Sequence, residues 1–153
     1  MSARTSIIAA LFLLQSSPAA GASAPSPWEE ANVIAEATGG LFRSPKGQYF
    51  DESCQDSLAY DAEVIDLNGD GQPEVFTQIY GLCWGGFTGV QMNLYIKNKR
   101  GQWKSQFGFP GVYQVLKTKY MGFPDIEVGG PGSCFPVWRW NGRTYSLYKR
   151  CDP

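Results

Sequence analysis

Apolar and polar residues alternate along much of the chain after residue 60, and this period of two predicts β-strands. The clearest case is the segment 90–97, in which every second side chain is apolar: Val90, Met92, Leu94 and Ile96. Shorter runs of the same kind predict further strands at 62–65, 75–80, 103–109, 112–116 and 125–128. The segment 41–57 has no clear period, so we predict that it is irregular.

The most distinct hairpin is centred on Asn141-Gly142. The predicted strands Phe135–Trp140 and Arg143–Tyr148 flank this pair, and Asn-Gly supplies the positive φ angles that a two-residue type I′ turn needs. Aromatic side chains of this hairpin are expected to pack across its two strands: Trp138, Trp140, Tyr145 and Tyr148.

An apolar period of three to four residues predicts one short helix after Ser26. Ser26 suits the N-cap and Pro27 the first helical position, while Gly39-Gly40 would end the helix after about three turns. The predicted fold is therefore mainly β (α+β): a small antiparallel β-sandwich or a partly closed barrel with one short N-terminal helix. A chain of 153 residues is expected to form a single domain.

The first 22 residues have the features of a secretory signal peptide. Arg4 gives the positive start, Ile7–Leu14 the apolar core, and Ala20-Gly21-Ala22 a small-x-small cleavage site. The apolar run is too short to cross a bilayer. We therefore expect residues 23–153 to form one β-rich domain, periplasmic or secreted, with no membrane span.

The chain has four cysteines and no C-x-x-C pair. In an oxidising compartment this favours two disulfides over a zinc site of four thiolates, and four cysteines allow three connectivities. Hairpin geometry favours one of these, because each pair brackets a predicted hairpin: Cys54–Cys83 and Cys134–Cys151.

Composition excludes several classes of function. The absence of histidine rules out Ser–His and Cys–His catalysis and histidine-ligated zinc. With 13 Lys and Arg against 14 Asp and Glu, and a sequence pI of about 5.4, the chain is not a strongly basic nucleic-acid-binding protein.

Oxygen donors alternate along the segment 66–74, Asp-Leu-Asn-Gly-Asp-Gly-Gln-Pro-Glu. Ca²⁺ takes six to eight oxygen ligands and tolerates irregular geometry, so this spacing favours calcium over magnesium. A helix-loop-helix calcium site is excluded, because position 12 is Thr77 instead of a bidentate Glu and Pro73 removes a backbone N–H.

The same segment resembles the calcium loop of FG-GAP and VCBS repeats, in which the ion lies in a tight turn between two strands. The resemblance covers about twenty residues around 62–77. It implies a structural Ca²⁺ with five ligands: Asp66, Asn68, Asp70, the backbone carbonyl of Gln72, and Glu74.

Two further features have both a functional and a structural interpretation. The Gly-rich loop 81–89 contains Trp84 and Phe87, which either bind a protein or carbohydrate or fill a small core. Basic residues follow residue 74, and they either form a face for an anionic partner or, as we favour, are neutralised by neighbouring acidic segments: Lys97, Lys99, Arg100, Lys104, Lys117 and Lys119.

Together these observations predict an exported, non-enzymatic binding protein stabilised by a structural calcium ion. Its partner would be another protein or a glycan of the cell envelope, and an inhibitor or immunity protein for a cell-wall hydrolase has this general character. A purely structural envelope domain is one alternative. The other is a glycosidase-like hydrolase that uses two carboxylates, chosen from Asp56, Asp61, Asp125 and Glu127.

Overall fold

The structure, a computed structural model, describes residues 27–130, 132 and 134–151. The predicted leader and the proposed cap Ser26 lie outside the described residues. In chain order the described elements are α1 (Pro27–Ala37), β1 (Lys46–Asp51), β2 (Asp56–Ile65), β3 (Glu74–Tyr80), α2 (Leu82–Gly85), a 3-10 turn (Gly86–Thr88), β4 (Val90–Lys97), β5 (Trp103–Ser105), β6 (Phe109–Pro110), β7 (Val112–Tyr120), β8 (Phe123–Gly129), β9 (Val137–Trp140) and β10 (Tyr145–Lys149).

The strands form two antiparallel sheets. The first sheet has the order β1-β2-β3-β4-β5, with β6 also paired to β4, and the second sheet has the order β10-β9-β8-β7. The sheets do not close into a barrel over the described residues. The prediction of a mainly β antiparallel sandwich is therefore confirmed.

The main core lies between the two sheets. Alternate residues of β3 and β4 point towards the second sheet, which is why Phe76, Met92 and Leu94 are buried. Ile126 and Val128 of β8 meet them from the other side. The strict alternation of β4 in the sequence is thus the pattern of a strand with one face in this core.

Helix α1 covers part of the outer face of the first sheet. Its Ile34 and Ala37 pack on Tyr60 and Val75, and all four are buried. The helix ends at Ala37, and Gly39 and Gly40 follow with positive φ angles of 64° and 86°. This agrees with the predicted start at Pro27 and the predicted stop.

The sequence pattern predicted that the segment 41–57 is irregular, and this prediction is wrong. The segment contains β1, an edge strand that pairs with β2 along its whole length, and its side chains alternate only between exposed and half-buried. Gly47 is needed here because the ring of Tyr60 occupies the place of a Cβ. An edge strand without fully buried positions gives a weak periodic signal.

The hairpin of β9 and β10 forms with a different turn from the one predicted. Trp140 pairs with Tyr145, so the connection has four residues and the two-residue Asn141-Gly142 turn is wrong. The reason is the side chain of Asn141, whose Oδ1 accepts hydrogen bonds from the N–H groups of Arg143 and Thr144, both at 3.1 Å.

Two further details differ from the sequence prediction. The predicted strand 103–109 is broken into β5 and β6, and a second, short helix, α2, follows β3. Both differences arise where glycine interrupts the pattern, since Gly81 and Gly108 have φ angles of 147° and 143°.

Both disulfides form with the predicted pairing. Cys54–Cys83 joins the turn between β1 and β2 to α2, and Cys134–Cys151 joins the chain on either side of the β9–β10 hairpin. Such bonds persist in oxidising compartments, which places the folded protein outside the cytoplasm. In the described part of the chain, no helix combines the length and the apolar character needed to span a bilayer.

Candidate functional site

Strands β2 and β3 place the two predicted sites at opposite ends of the first sheet. The oxygen-rich loop 66–73 joins these strands at one end, and the aromatic loop 81–89 follows β3 at the other. The seven residues of β3 separate the two loops by about 20 Å at the usual rise of a strand. The two loops are therefore separate sites for an ion or a small ligand.

Asp66 organises the oxygen-rich loop. Its Oδ1 accepts the N–H of Gly69 at 2.7 Å and of Asp70 at 3.1 Å, and its Oδ2 accepts the N–H of Gly71 at 2.9 Å. These hydrogen bonds stabilise the charged form and keep the pKa of Asp66 below its ordinary value. Gly69 and Gly71 have φ angles near 80°, which explains why glycine stands at both turns.

The next two proposed calcium ligands of the loop, Asn68 and Asp70, are also held in place by hydrogen bonds. Asn68 Oδ1 accepts the N–H of Asp70 at 2.9 Å, and Asn68 Nδ2 donates to Asp70 Oδ2 at 2.9 Å. Asp70 Oδ1 accepts the N–H of Gln72 at 2.7 Å. The loop thus has a defined backbone path, and Asn68 Oδ1 and the two carboxylate oxygens of Asp70 each accept one of these hydrogen bonds and retain a second lone pair for a cation.

Glu74 differs from the other donors because it is buried. Its Oε2 accepts the N–H of Leu67 at 2.7 Å across the loop. Burial raises the pKa of Glu74 to about 7, the Leu67 hydrogen bond opposes this rise, and the charges of Asp70 and Asp66 add to it. A buried carboxylate that two neighbouring carboxylates repel is stabilised by a bound cation.

The residues of the loop fit a calcium ion by their chemistry. Asp70 and Asp66 are both close enough to Glu74 to raise its pKa, and Asn68 and the Gln72 carbonyl add neutral oxygens of the kind that Ca²⁺ takes. Among the described residues, no three side chains of His, Cys, Asp or Glu are already grouped as a metal site. Calcium binding therefore remains a proposal that rests on the donor set.

The aromatic loop presents its side chains outward. Phe87 is fully exposed, Leu82 is 77% exposed and Trp84 is 39% exposed. The interpretation of Trp84 and Phe87 as core residues is therefore wrong, and both are available for contacts with another molecule. Three exposed apolar side chains within six residues form the kind of patch that marks an interaction site.

The backbone under these side chains is firmly held. Gly81 N donates to Gly89 O at 2.9 Å, which closes the base of the loop, and Thr88 Oγ1 contacts the carbonyls of Gly85 and Val90 at 2.6 and 2.7 Å. Cys83 of this loop is bonded to Cys54. The exposed side chains are consequently carried by a loop of defined shape.

Trp84 also lines a shallow groove on the first sheet. Its Nε1 donates to Asp51 Oδ2 at 3.0 Å, and Tyr49 Oη donates to the same oxygen at 3.2 Å. The groove has a volume of about 230 Å³, and Ile79 and Tyr95 of the first sheet form part of its floor. Asp51 and Tyr49 were not identified from the sequence pattern, because β1 itself was not predicted.

The four carboxylates considered for a hydrolase are divided between the two sheets. Asp61 is on β2 of the first sheet, where it accepts a hydrogen bond from Tyr80 Oη at 2.8 Å. Asp125 and Glu127 are on β8 of the second sheet, and Asp56 is exposed at the start of β2.

Asp125 in particular has the properties of a structural residue. It is buried and forms two hydrogen bonds with the guanidinium of Arg139, at 2.8 and 2.7 Å. These bonds hold the pKa of Asp125 below its ordinary value, which is the opposite of what a general acid requires.

No family model, curated protein or solved structure matches this chain. The candidate sites are therefore defined by their own geometry, and the resemblance of residues 62–77 to FG-GAP and VCBS repeats stays a prediction from the sequence.

Proposed function

We propose that this chain is an exported, non-enzymatic binding protein that inserts the loop 81–89 into a concave surface of a partner protein. The observation that carries the proposal is the full exposure of Phe87 on a loop that a disulfide and internal hydrogen bonds hold in one shape. Because the loop is already ordered, an apolar side chain at its tip binds with a small loss of conformational entropy.

The shape of the loop favours a partner with a cleft. Phe87 and Leu82 project from the end of the first sheet, and a projecting apolar side chain is buried only when the facing surface is concave. The substrate cleft of a cell-wall hydrolase is such a surface. We therefore propose that the protein is an inhibitor or immunity protein for a hydrolase of this kind, acting in the periplasm or after secretion.

Calcium has a structural part in this proposal. The ion would be held by Asp66, Asn68, Asp70, Glu74 and the carbonyl of Gln72, where it would offset the repulsion between three carboxylates. Since the loop 66–73 is at the far end of β3 from the aromatic loop, the ion would support the sheet instead of forming part of the proposed binding loop.

The proposal is tested by peptidoglycan breakdown. The purified chain is added to peptidoglycan together with individual purified amidases, muramidases and glucosaminidases, and the release of soluble fragments is measured. We expect the wild-type protein to inhibit at least one enzyme and Phe87→Ser to lose at least about tenfold in inhibition, since a buried aromatic anchor contributes 2 kcal/mol or more.

Met121→Ser is the matched control, because Met121 is 61% exposed in the turn between β7 and β8. This variant should inhibit as the wild type does. Equal inhibition by Phe87→Ser, or no inhibition of any enzyme, would contradict the proposal. Fragment release by the chain alone would favour the hydrolase.

A further inference from the structure

A second groove lies at the end of the molecule opposite to the aromatic loop. It has a volume of about 670 Å³ and lies between the turn that joins β4 to β5 and the turn that joins β9 to β10. Five basic residues line it, four from the first sheet and one from the second: Lys97, Lys99, Arg100, Lys104 and Arg143. The fold thus brings together charges that are up to 46 positions apart in the sequence.

Most of this positive charge has no partner inside the protein. Lys97 forms an ion pair with Glu36 at 3.7 Å, but the other four bases form none within the described residues. Of the described residues that line the groove, only Asp70 is acidic. Our interpretation that neighbouring acidic segments neutralise the basic residues therefore does not apply to this groove. Four like charges around one concavity repel each other and attract an anion.

Only some of the basic residues that the sequence analysis grouped as a possible face line this groove. Lys97, Lys99, Arg100 and Lys104 line the groove, whereas Lys117 and Lys119 lie on β7 and do not. Arg143 was not among the residues expected from the sequence, because its place depends on the four-residue turn after Trp140.

The walls of the groove are fixed before any ligand binds. Gln106 Oε1 accepts the hydroxyl of Thr144 at 2.8 Å and the N–H of Tyr145 at 3.1 Å, and so ties the first sheet to the β9–β10 turn. Asn98 Oδ1 accepts the N–H groups of Arg100 and Gln102 in the opposite turn. A groove of fixed shape loses little entropy on binding.

The floor of the groove is aromatic. Trp140 is half-buried there and packs against Phe123, with 4.6 Å between the ring centroids. The volume of the groove is in the range of pockets that bind a small molecule or a short chain segment. Charged side chains surround the groove, so it differs from a flat apolar patch. The groove therefore suits a ligand whose repeating unit combines a compact ring with an anionic group.

We propose that this groove binds an acidic glycan, with the ring of a uronic-acid-type sugar on Trp140 and its carboxylates at Lys99, Arg100 and Arg143. Arginine matches the two oxygens of a carboxylate in a bidentate manner, and the apolar face of a sugar ring packs against an indole ring. This goes beyond the proposed function, which uses the other end of the molecule.

Titration calorimetry with trigalacturonate tests the proposal, with neutral maltotriose and triglutamate as comparison ligands. We expect the wild-type protein to bind trigalacturonate more tightly than either comparison ligand, and to bind more weakly as salt is added. The double variant Lys99→Gln/Arg100→Gln should bind about tenfold more weakly, since two exposed charge contacts are lost. Arg143→Gln, on the other wall, should also weaken binding.

The matched control is Lys117→Gln/Lys119→Gln, which removes the same charge from β7 and should bind as the wild type does. All variants change exposed residues, so their melting temperatures should stay close to that of the wild type. No binding of trigalacturonate, equal binding of triglutamate or maltotriose, or equal loss in the control would overturn the proposal. Phe87→Ser should leave this binding unchanged, so failure here is distinct from failure of the hydrolase-inhibitor proposal.

Discussion

At the scale of single residues, Asp125 is the side chain whose chemistry can be tested most directly. It is buried, and it accepts two hydrogen bonds from Arg139 and one from Thr118 Oγ1 at 2.7 Å. Replacing Asp125 with Asn removes the charge and keeps the shape. We expect a loss of about 2 kcal/mol in the free energy of unfolding at neutral pH, less than for a fully buried pair because the Arg139 side chain is 25% exposed.

The same residue gives a pH dependence with a defined sign. The folded-state pKa of Asp125 lies below the ordinary value of 3.8, so its stabilising contribution is complete above that value and is lost as the pH falls through the folded-state pKa. In urea unfolding, the difference between wild type and Asp125→Asn should be smaller at about pH 2 than at about pH 7. The exposed Asp56→Asn is the control, and a pH-independent difference would contradict the assignment.

Residues with local partners could be predicted from the sequence, and those with distant partners could not. The proposed calcium ligands of the loop 66–74 lie within nine positions, so the pattern that predicts them is visible in the sequence. The acceptor of Trp84 is Asp51, 33 positions away, and nothing in either segment indicates that they meet. Asn141 was identified as a turn residue. The sequence did not show that its side-chain Oδ1, which accepts a hydrogen bond from Arg143 N–H, would determine the type of turn.

At the scale of elements, the β2–β3 hairpin gives a test of the proposed calcium site. Calcium at about a hundred times its Kd should raise the free energy of unfolding by about 2.7 kcal/mol, seen as a higher melting temperature than in chelator. Magnesium should have a smaller effect, because it requires tighter octahedral geometry. No change in melting temperature with millimolar calcium would contradict the site.

Two variants of this hairpin separate binding of the ion from folding of the loop. Glu74→Gln keeps an acceptor for Leu67 N–H and removes a buried charge, so in chelator it should be as stable as the wild type or more stable. Asp66→Asn loses an acceptor of backbone N–H groups and should be less stable in chelator. Both should lose the calcium-dependent rise, and a full rise in Glu74→Gln would exclude Glu74 as a ligand.

The elements themselves were predictable where one face meets a core. In β4, Met92, Leu94 and Ile96 are all buried and their neighbours are not, so the period of two was complete and the strand was placed correctly. In β1 no residue is fully buried, so hydrogen bonding to β2 decides its structure and the sequence pattern alone does not. The order of the strands in each sheet depends on pairing between segments and could not be predicted from either alone.

At the scale of the whole molecule, the first sheet has the two proposed binding sites at opposite ends and two cores on opposite faces. The aromatic loop follows β3 and the basic groove begins at the end of β4. On β3 itself, Val75 faces α1 while the next residue, Phe76, faces the second sheet and stacks on Tyr113 with 4.0 Å between the ring centroids. A shift of this sheet is therefore transmitted to both layers.

This arrangement predicts that helix α1, the first sheet and the second sheet, which form three layers, unfold as one cooperative unit. Ile34→Ala removes contacts under α1 and Ile126→Ala removes contacts in the second sheet, and both side chains are fully buried. Each should lower the free energy of unfolding by about 2–5 kcal/mol, with coincident far-UV and near-UV transitions in both variants. An early transition confined to the helical signal in Ile34→Ala would show that α1 is an independent layer. Because neighbouring residues of β3 belong to the two different cores, we expect that disruption of either core also destabilises the other.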